Sequence, residues 1–192
     1  MMKKLMERFR MIRENQKKNG TKGFSMIELI IVIAVMAILI ALIGTQLIPY
    51  LEKSRKTRDL DTMNAMLTAV QSVCTDYELD PTNNADLGKI TTASSNELKA
   101  FETYLGYKWG ASGADAVKKC TSKAAKNNTG SGAAPANQVS ISAVKDANGN
   151  AAIMVKVGNL YVATNGKSGE ITDSDYTSAN YTSTSGGGGA SS

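Results

Sequence analysis

The segment KGFSMIEL, residues 22–29, holds two groups that can act on each other: the backbone nitrogen of Phe24 and the carboxylate of Glu28. The nitrogen becomes a free amine only if the chain is cut between Gly23 and Phe24. A free α-amine has an ordinary pKa of about 8 and is cationic near neutral pH. In an apolar environment an ammonium and a carboxylate each need the other. If Phe24 of one subunit meets Glu28 of its neighbour, the contact is heterologous and does not close, so it generates a helical filament. The rest of the chain offers little chemistry. Its 192 residues include no histidine, which excludes Ser-His-Asp and Cys-His catalysis and the commonest transition-metal ligand. Cys74 and Cys120 are too far apart for a C-x-x-C motif. In an exported domain one disulfide between them is the expected state, with two buried thiols as the alternative. No catalytic residue, metal or cofactor is expected.

The elements around Glu28 decide which reading holds. Residues 1–23 carry eight bases against two acids, a net +6 out of the chain's +5, so the remainder is close to neutral. That near-neutrality removes the general argument for nucleic-acid binding. The first 23 residues show little apolar periodicity and read as a cytoplasmic leader. From Leu29 to Leu51 there are 23 residues without a formal charge. As a helix they cover about 34 Å, enough to cross the hydrocarbon core of a bilayer. Eight bases precede the run and only Lys53, Arg55, Lys56 and Arg58 follow closely, which keeps the N-terminus inside and exports the rest. A cleavable secretory signal would need an A-x-A site that ALIGTQLIPY lacks. An uncut signal anchor explains the hydrophobicity but leaves an intramembrane carboxylate with no partner. Cutting after Gly23 supplies that partner.

Lys22-Gly23-Phe24-Ser25-Met26-Ile27-Glu28-Leu29, with its basic arm and following apolar helix, resembles the class III signal of type IV pilins and pseudopilins. The resemblance covers roughly residues 1–60. It implies a membrane-anchored prepilin in which Gly23 precedes the cut, Phe24 is the N-methylated new terminus and Glu28 directs assembly. It also implies a prepilin peptidase of aspartyl type, a cytoplasmic assembly ATPase with a platform protein, and a homo-oligomeric filament at the cell surface. The alternatives are a minor pilin, a pseudopilin of a secretion or DNA-uptake system, and a monomeric signal-anchored binding domain outside the cytoplasm. The implied fold is α+β, one long N-terminal helix packed on an antiparallel sheet of three or four strands.

Beyond Glu52 the pattern turns one-sided. Leu60, Met63, Met66 or Leu67, Val70, Val73 or Cys74, and Tyr77 recur at spacings of three and four, one stripe of an amphipathic helix. Lys53, Arg55, Lys56, Arg58, Asp59 and Asp61 read as solvated. Gly44 and Pro49 predict a kink or melted turn, and Pro81 ends the helix. A short helix is expected from Ser95 to Gly106. Residues 110–137 read mostly as loop, and Trp109, Tyr104 and Tyr107 as a packing cluster. Strands follow at 139–143, 152–157, 160–164 and 170–172, around turns at 146–150, 158–159 and 165–166. The expected organisation is a leader over 1–23, a membrane or filament-core half-helix over 24–52, a head over 53–181 and a structureless tail over 182–192. A Cys74–Cys120 bridge would close 45 intervening residues, worth roughly 3–4 kcal/mol.

Overall fold

The computed structural model describes residues 3, 6–11, 14, 24–129, 132–177 and 180–184. Gly23 lies outside the described residues, as do 185–192 of the expected tail. The chain divides into two units, 1–47 and 48–192. One element, helix α1 (Met26–Asp76), belongs to both.

Within the first unit α1 is apolar all round. The side chains from Ile27 to Leu47 that are large and apolar are each about half exposed or more. Gly44 and Pro49 do not break it. Proline removes one donor and crowds the preceding turn at a cost of about 3 kcal/mol. Helical residues on both sides of Pro49 carry the ladder past that single gap. Helical backbone runs through both positions, so the expected melted turn does not form there.

In the second unit the α1 stripe reaches the core as the spacing predicts. Met63, Met66, Leu67, Val70, Val73 and Cys74 are buried, and Leu60 is half-buried. Tyr77 falls beyond the helix end and stays 39% exposed. Two short helices follow, α2 (Asn84–Thr91) and α3 (Asn96–Leu105). The first was not expected from the sequence. Asn83 caps it by accepting from Ala85 N–H, while Leu87 and Ile90 bury its inner face. The second starts at the expected Ser95, which accepts from Leu98 N–H, and ends at left-handed Gly106. Two single-turn helices, α4 (Ala114–Val117) and α5 (Lys123–Lys126), interrupt the expected loop.

Among the described residues the sheet has five strands, one more than the upper expectation, in the order β4-β3-β2-β1-β5. They are β1 (Val139–Lys145), β2 (Ala151–Val157), β3 (Leu160–Ala163), β4 (Ser168–Glu170) and β5 (Thr182–Ser183). All pairs are antiparallel. Register puts Val139, Ile141 and Ala143 opposite Val157, Val155 and Ile153, and Val162 opposite Val155. These residues form the face that packs with the α1 stripe in one core. Alternation sends Ala152, Met154, Tyr161 and Ala163 to the other face, under Ile171, Tyr176 and Tyr181. Gly158 turns β2 into β3 with φ +56°. An added Cβ there would lie 2.2 Å from the Ala125 carbonyl oxygen, so both conformation and close approach require glycine.

The fifth strand is a correction to the tail expected from residue 182. Thr182 and Ser183 pair with Lys145 and Val144. Thr184 continues the seam: its backbone N–H donates to Ala143 O at 3.2 Å and its hydroxyl to Thr82 O at 2.9 Å. The Asn84 side chain closes it by donating to Thr184 O at 2.6 Å and accepting from Ala143 N–H at 2.7 Å.

The aromatic cluster also differs in membership. Trp109 is fully buried, and its ring partner is Phe101, edge-on at 4.9 Å between centroids. Tyr104 is 51% exposed, and its hydroxyl donates to Asp76 Oδ2. Tyr107 carries Lys119 Nζ over its ring at 4.4 Å. Glu102 latches the corner by accepting from Trp109 N–H at 2.8 Å and from Lys108 Nζ at 2.9 Å. The Lys108 bond, then the Trp109 bond, holds the Glu102 carboxyl below its ordinary pKa. Its stabilising contribution is complete above the ordinary carboxylate pKa and is lost as the pH falls through the lowered one. Trp109 is the chain's single tryptophan. Its emission is therefore expected to shift to the red on acid titration below the usual carboxylate range. In Glu102→Gln that acid step should be missing.

Candidate functional site

The candidate site is the first turn of α1. Ser25 is the last residue before it, and Ser25 O accepts from Glu28 N–H at 2.9 Å and Leu29 N–H at 3.1 Å. Glu28 Oε2 reaches back to accept from Ser25 N–H at 3.4 Å. Ser25-Met26-Ile27-Glu28 is thus an S-x-x-E sequence with its glutamate half in place. It satisfies one of the orphan amides at the helix start and sets an acid beside the positive end of the helix dipole. The sequence reading missed this second role, although the S-x-x-E spacing of residues 25–28 carries it.

The cap alone does not account for a carboxylate here. A cap contributes about 1 kcal/mol, and an ionisable side chain at the edge of an apolar span is by default functional, with a partner to be named. Phe24, next to the cap, is 82% exposed, and Met26 and Ile27 are 84% and 66% exposed. The Phe24 amine, once free, would stand at the open end of a helix that begins two residues later, and Glu28 lies one turn in. All of the most apolar window of α1 is unburied. A surface of this kind must be covered by lipid or by other apolar helices.

Other sequence-selected residues fall elsewhere. Cys74 and Cys120 are free thiols, both buried. This corrects the expected disulfide, and the geometry gives the reason. Asp59 binds the amides of Thr121 and Ser122, at 3.0 Å and 2.7 Å, which fixes Cys120 at the level of Asp59 on the helix. Cys74 lies 15 residues further along α1, about 22 Å at the helical rise. A bridge needs Cα atoms within about 7 Å. Burial, followed by the Asp86 and Asp80 charges, pushes the Cys74 thiol up. Burial, with Asp59 beside it, pushes Cys120 up to about 12. Both are therefore expected to stay protonated and inert. Maleimide should label neither in the native head and both after unfolding, with non-reducing mass measurement showing two free thiols.

Asp59 is the clearest departure from the expected solvated cluster. It is fully buried, and its two carboxylate oxygens accept from Thr121 and Ser122 N–H. Glu52, two turns earlier, accepts from Lys123 N–H. Lys56 lies between them and pairs with Glu170 Oε2 at 3.1 Å. Lys53, Arg55, Arg58 and Asp61 are exposed, as expected. Among the described residues no group of three or more His, Cys, Asp or Glu is arranged to hold a metal ion.

Residues 18–44 match the family model described as the prokaryotic N-terminal methylation motif. The match takes in Gly23, Phe24 and Glu28 and most of the apolar half of α1. It identifies this stretch as the class III signal found in type IV pilin- and pseudopilin-type precursors. The motif implies processing by a prepilin peptidase, and with the apolar helix it fits a membrane-anchored precursor. Comparison with curated proteins and with solved structures gives no match.

Proposed function

We propose, taking residues 18–44 as a processing and methylation segment, that this chain is a prepilin. It is inserted N-in in the cytoplasmic membrane, cut between Gly23 and Phe24, and methylated on the Phe24 amine. The mature subunit polymerises into a helical filament at the cell surface, driven by an assembly ATPase and its platform protein. It acts as a structural subunit and not as a catalyst.

The observation that carries this reading is Glu28 in the first turn of a helix whose first half, from Ile27 to Leu47, exposes apolar side chains on every side. As a precursor, the helix lies in lipid. As a mature subunit, it lies among copies of itself, and the Glu28 carboxylate meets the neighbouring Phe24 ammonium. A monomeric signal-anchored domain would gain nothing from the acid beyond its cap. A major subunit and a minor pilin or pseudopilin share this arrangement, and cellular abundance separates them.

N-terminal sequencing with mass measurement of the mature protein tests the proposal. The expected product begins at N-methylated Phe24. An intact Met1 terminus, or a cut beyond Gly44, would overturn it.

A further inference from the structure

Charge is unevenly placed over the head. From Asp59 to Gly88 there are six acids and no lysine or arginine. Asp59 is buried, and Asp86 pairs with Lys89 at 2.6 Å. Asp61 stands apart near the start of the head. Asp76, Glu78 and Asp80 crowd around the end of α1, all exposed. None of these three has a lysine or arginine partner among the described residues. The position works against the helix. Its last carbonyls form the negative end of the dipole, where bases are favoured and acids are not, and the last turn of α1 holds no base. Asp76 accepts from the Tyr104 hydroxyl, and Asp80 from Thr82 N–H at 2.8 Å. The Glu78 side chain has no hydrogen-bond partner among the described residues, and its backbone adds a second cost. Leu79 N–H donates to Cys74 O at 2.9 Å around a Glu78 with φ +51°. This is the left-handed closing position that glycine ordinarily fills, because a side chain there is strained. Nothing within the subunit offsets these costs at Glu78.

The opposite charge gathers at the other end of the same unit. Lys53, Arg55 and Arg58 are exposed on α1. Asp59 holds the Thr121 and Ser122 amides, and Glu52 holds the Lys123 amide. These bonds bring the exposed Lys118, Lys119, Lys123 and Lys126 to the same level. Of these bases only Arg55 and Lys118 pair with an acid among the described residues, Glu52 at 3.8 Å and Asp115 at 2.6 Å. Asp76 lies 18 residues beyond Arg58, about 27 Å along the helix. That is well past the roughly 8 Å screening length at physiological salt, so the two poles do not neutralise each other within one chain. We infer that the acidic pole at Asp76–Asp80 of one copy seats against the basic pole, around Arg58, of another copy further along the filament. The inference rests on the proposed filament. Every copy carries both poles at an offset, so the contact is heterologous and repeats without closing. Anionic lipid would occupy the basic pole but leave the acids at the helix end without a partner, whereas a second copy accounts for both. Charge complementarity of this kind sets register and rejects wrong partners more than it adds affinity.

Filaments sheared from cells test the contact. Glu78→Lys is expected to lower their yield about tenfold or more, because like charges then meet across the contact. Arg58→Glu should do the same, and the two substitutions together should recover most of the parent yield. Both positions are exposed, so the melting midpoint of each full chain in detergent should match the parent. Cross-linking reads the contact directly. Filaments of an Arg58→Cys/Glu78→Cys chain are treated with a short bis-maleimide, to which the buried Cys74 and Cys120 are closed. The introduced thiols are too far apart to be joined within one chain. The contact therefore gives a ladder of covalent multimers that neither single variant gives. Filaments with no ladder and with normal yield in both charge reversals overturn the inference and leave the prepilin reading standing. Arg58→Glu that depletes membrane-bound precursor, with Glu78→Lys silent and no ladder, assigns the basic pole to lipid and also overturns it. A parent chain that never enters filaments overturns the filament reading and the inference together.

Discussion

Glu28→Gln is expected to leave the start of α1 intact and to abolish filaments. Glutamine at this position keeps an acceptor oxygen for Ser25 N–H, so the cap survives. What it removes is the charge. In the proposed filament a buried ammonium then loses its carboxylate, a change that costs about 3–5 kcal/mol where one partner of a buried pair is deleted. At 1.4 kcal/mol per factor of ten, the subunit concentration needed for growth rises at least a hundredfold or so. Membrane levels and head stability should match the parent. The measurement is the yield of sheared filament alongside membrane-bound precursor. If Glu28 serves only as a cap, Gln will assemble normally and Ala alone will fail.

The second large effect concerns the head. Asp59→Ala is expected to destabilise it by about 3–4 kcal/mol, since it removes charge-assisted bonds and strands the buried Ser122 amide along with the part-buried Thr121 amide. For a unit of this size that lowers the melting midpoint by roughly 10 °C. Asp59→Asn retains the shape but turns an NH₂ toward at least one of the Thr121 and Ser122 donors, and should recover only part of the loss. Asp61→Ala, on an exposed residue two positions away, should change little. Thermal unfolding of the full chain in detergent, followed by Trp109 fluorescence, ranks the three. A midpoint for Asp59→Ala within a degree or two of the parent would contradict the pinning role.

The two carboxylates show what a one-dimensional pattern can and cannot carry. Glu28 was legible because its oddity is local: one charge at the edge of a long apolar run. Asp59 was not, because its partners are amides 62 and 63 residues away. Nothing in KSRKTRDLD distinguishes a buried acid from its solvated neighbours. The same contrast runs through the fold. The α1 stripe, the Ser95 and Gly106 caps and the β2–β3 turn follow from spacing and side-chain chemistry within a few residues. Helix α2 was missed although Asn83 with Leu87 and Ile90 supplied a cap and a spacing of three. Strand β5 has no apolar residue to announce it, being held by Asn84 and Thr184 rather than by burial. The disulfide was inferred from compartment alone, and the pinning of residues 121 and 122 at Asp59 places the two thiols on different turns.

The β5 seam also bears on when the head can fold. Asn84 and Thr184 are separated by 100 residues, and contacts this distant in sequence carry the largest loop-closure cost and form late. During synthesis the edge of β1 stays open until residue 184 has left the ribosome. The long apolar helix, by contrast, is complete by residue 76. The order of emergence thus gives the membrane first claim on the chain. On the proposed reading, the anchor is inserted while the head is still an open polypeptide able to pass through a translocation channel, and the sheet closes only on the far side.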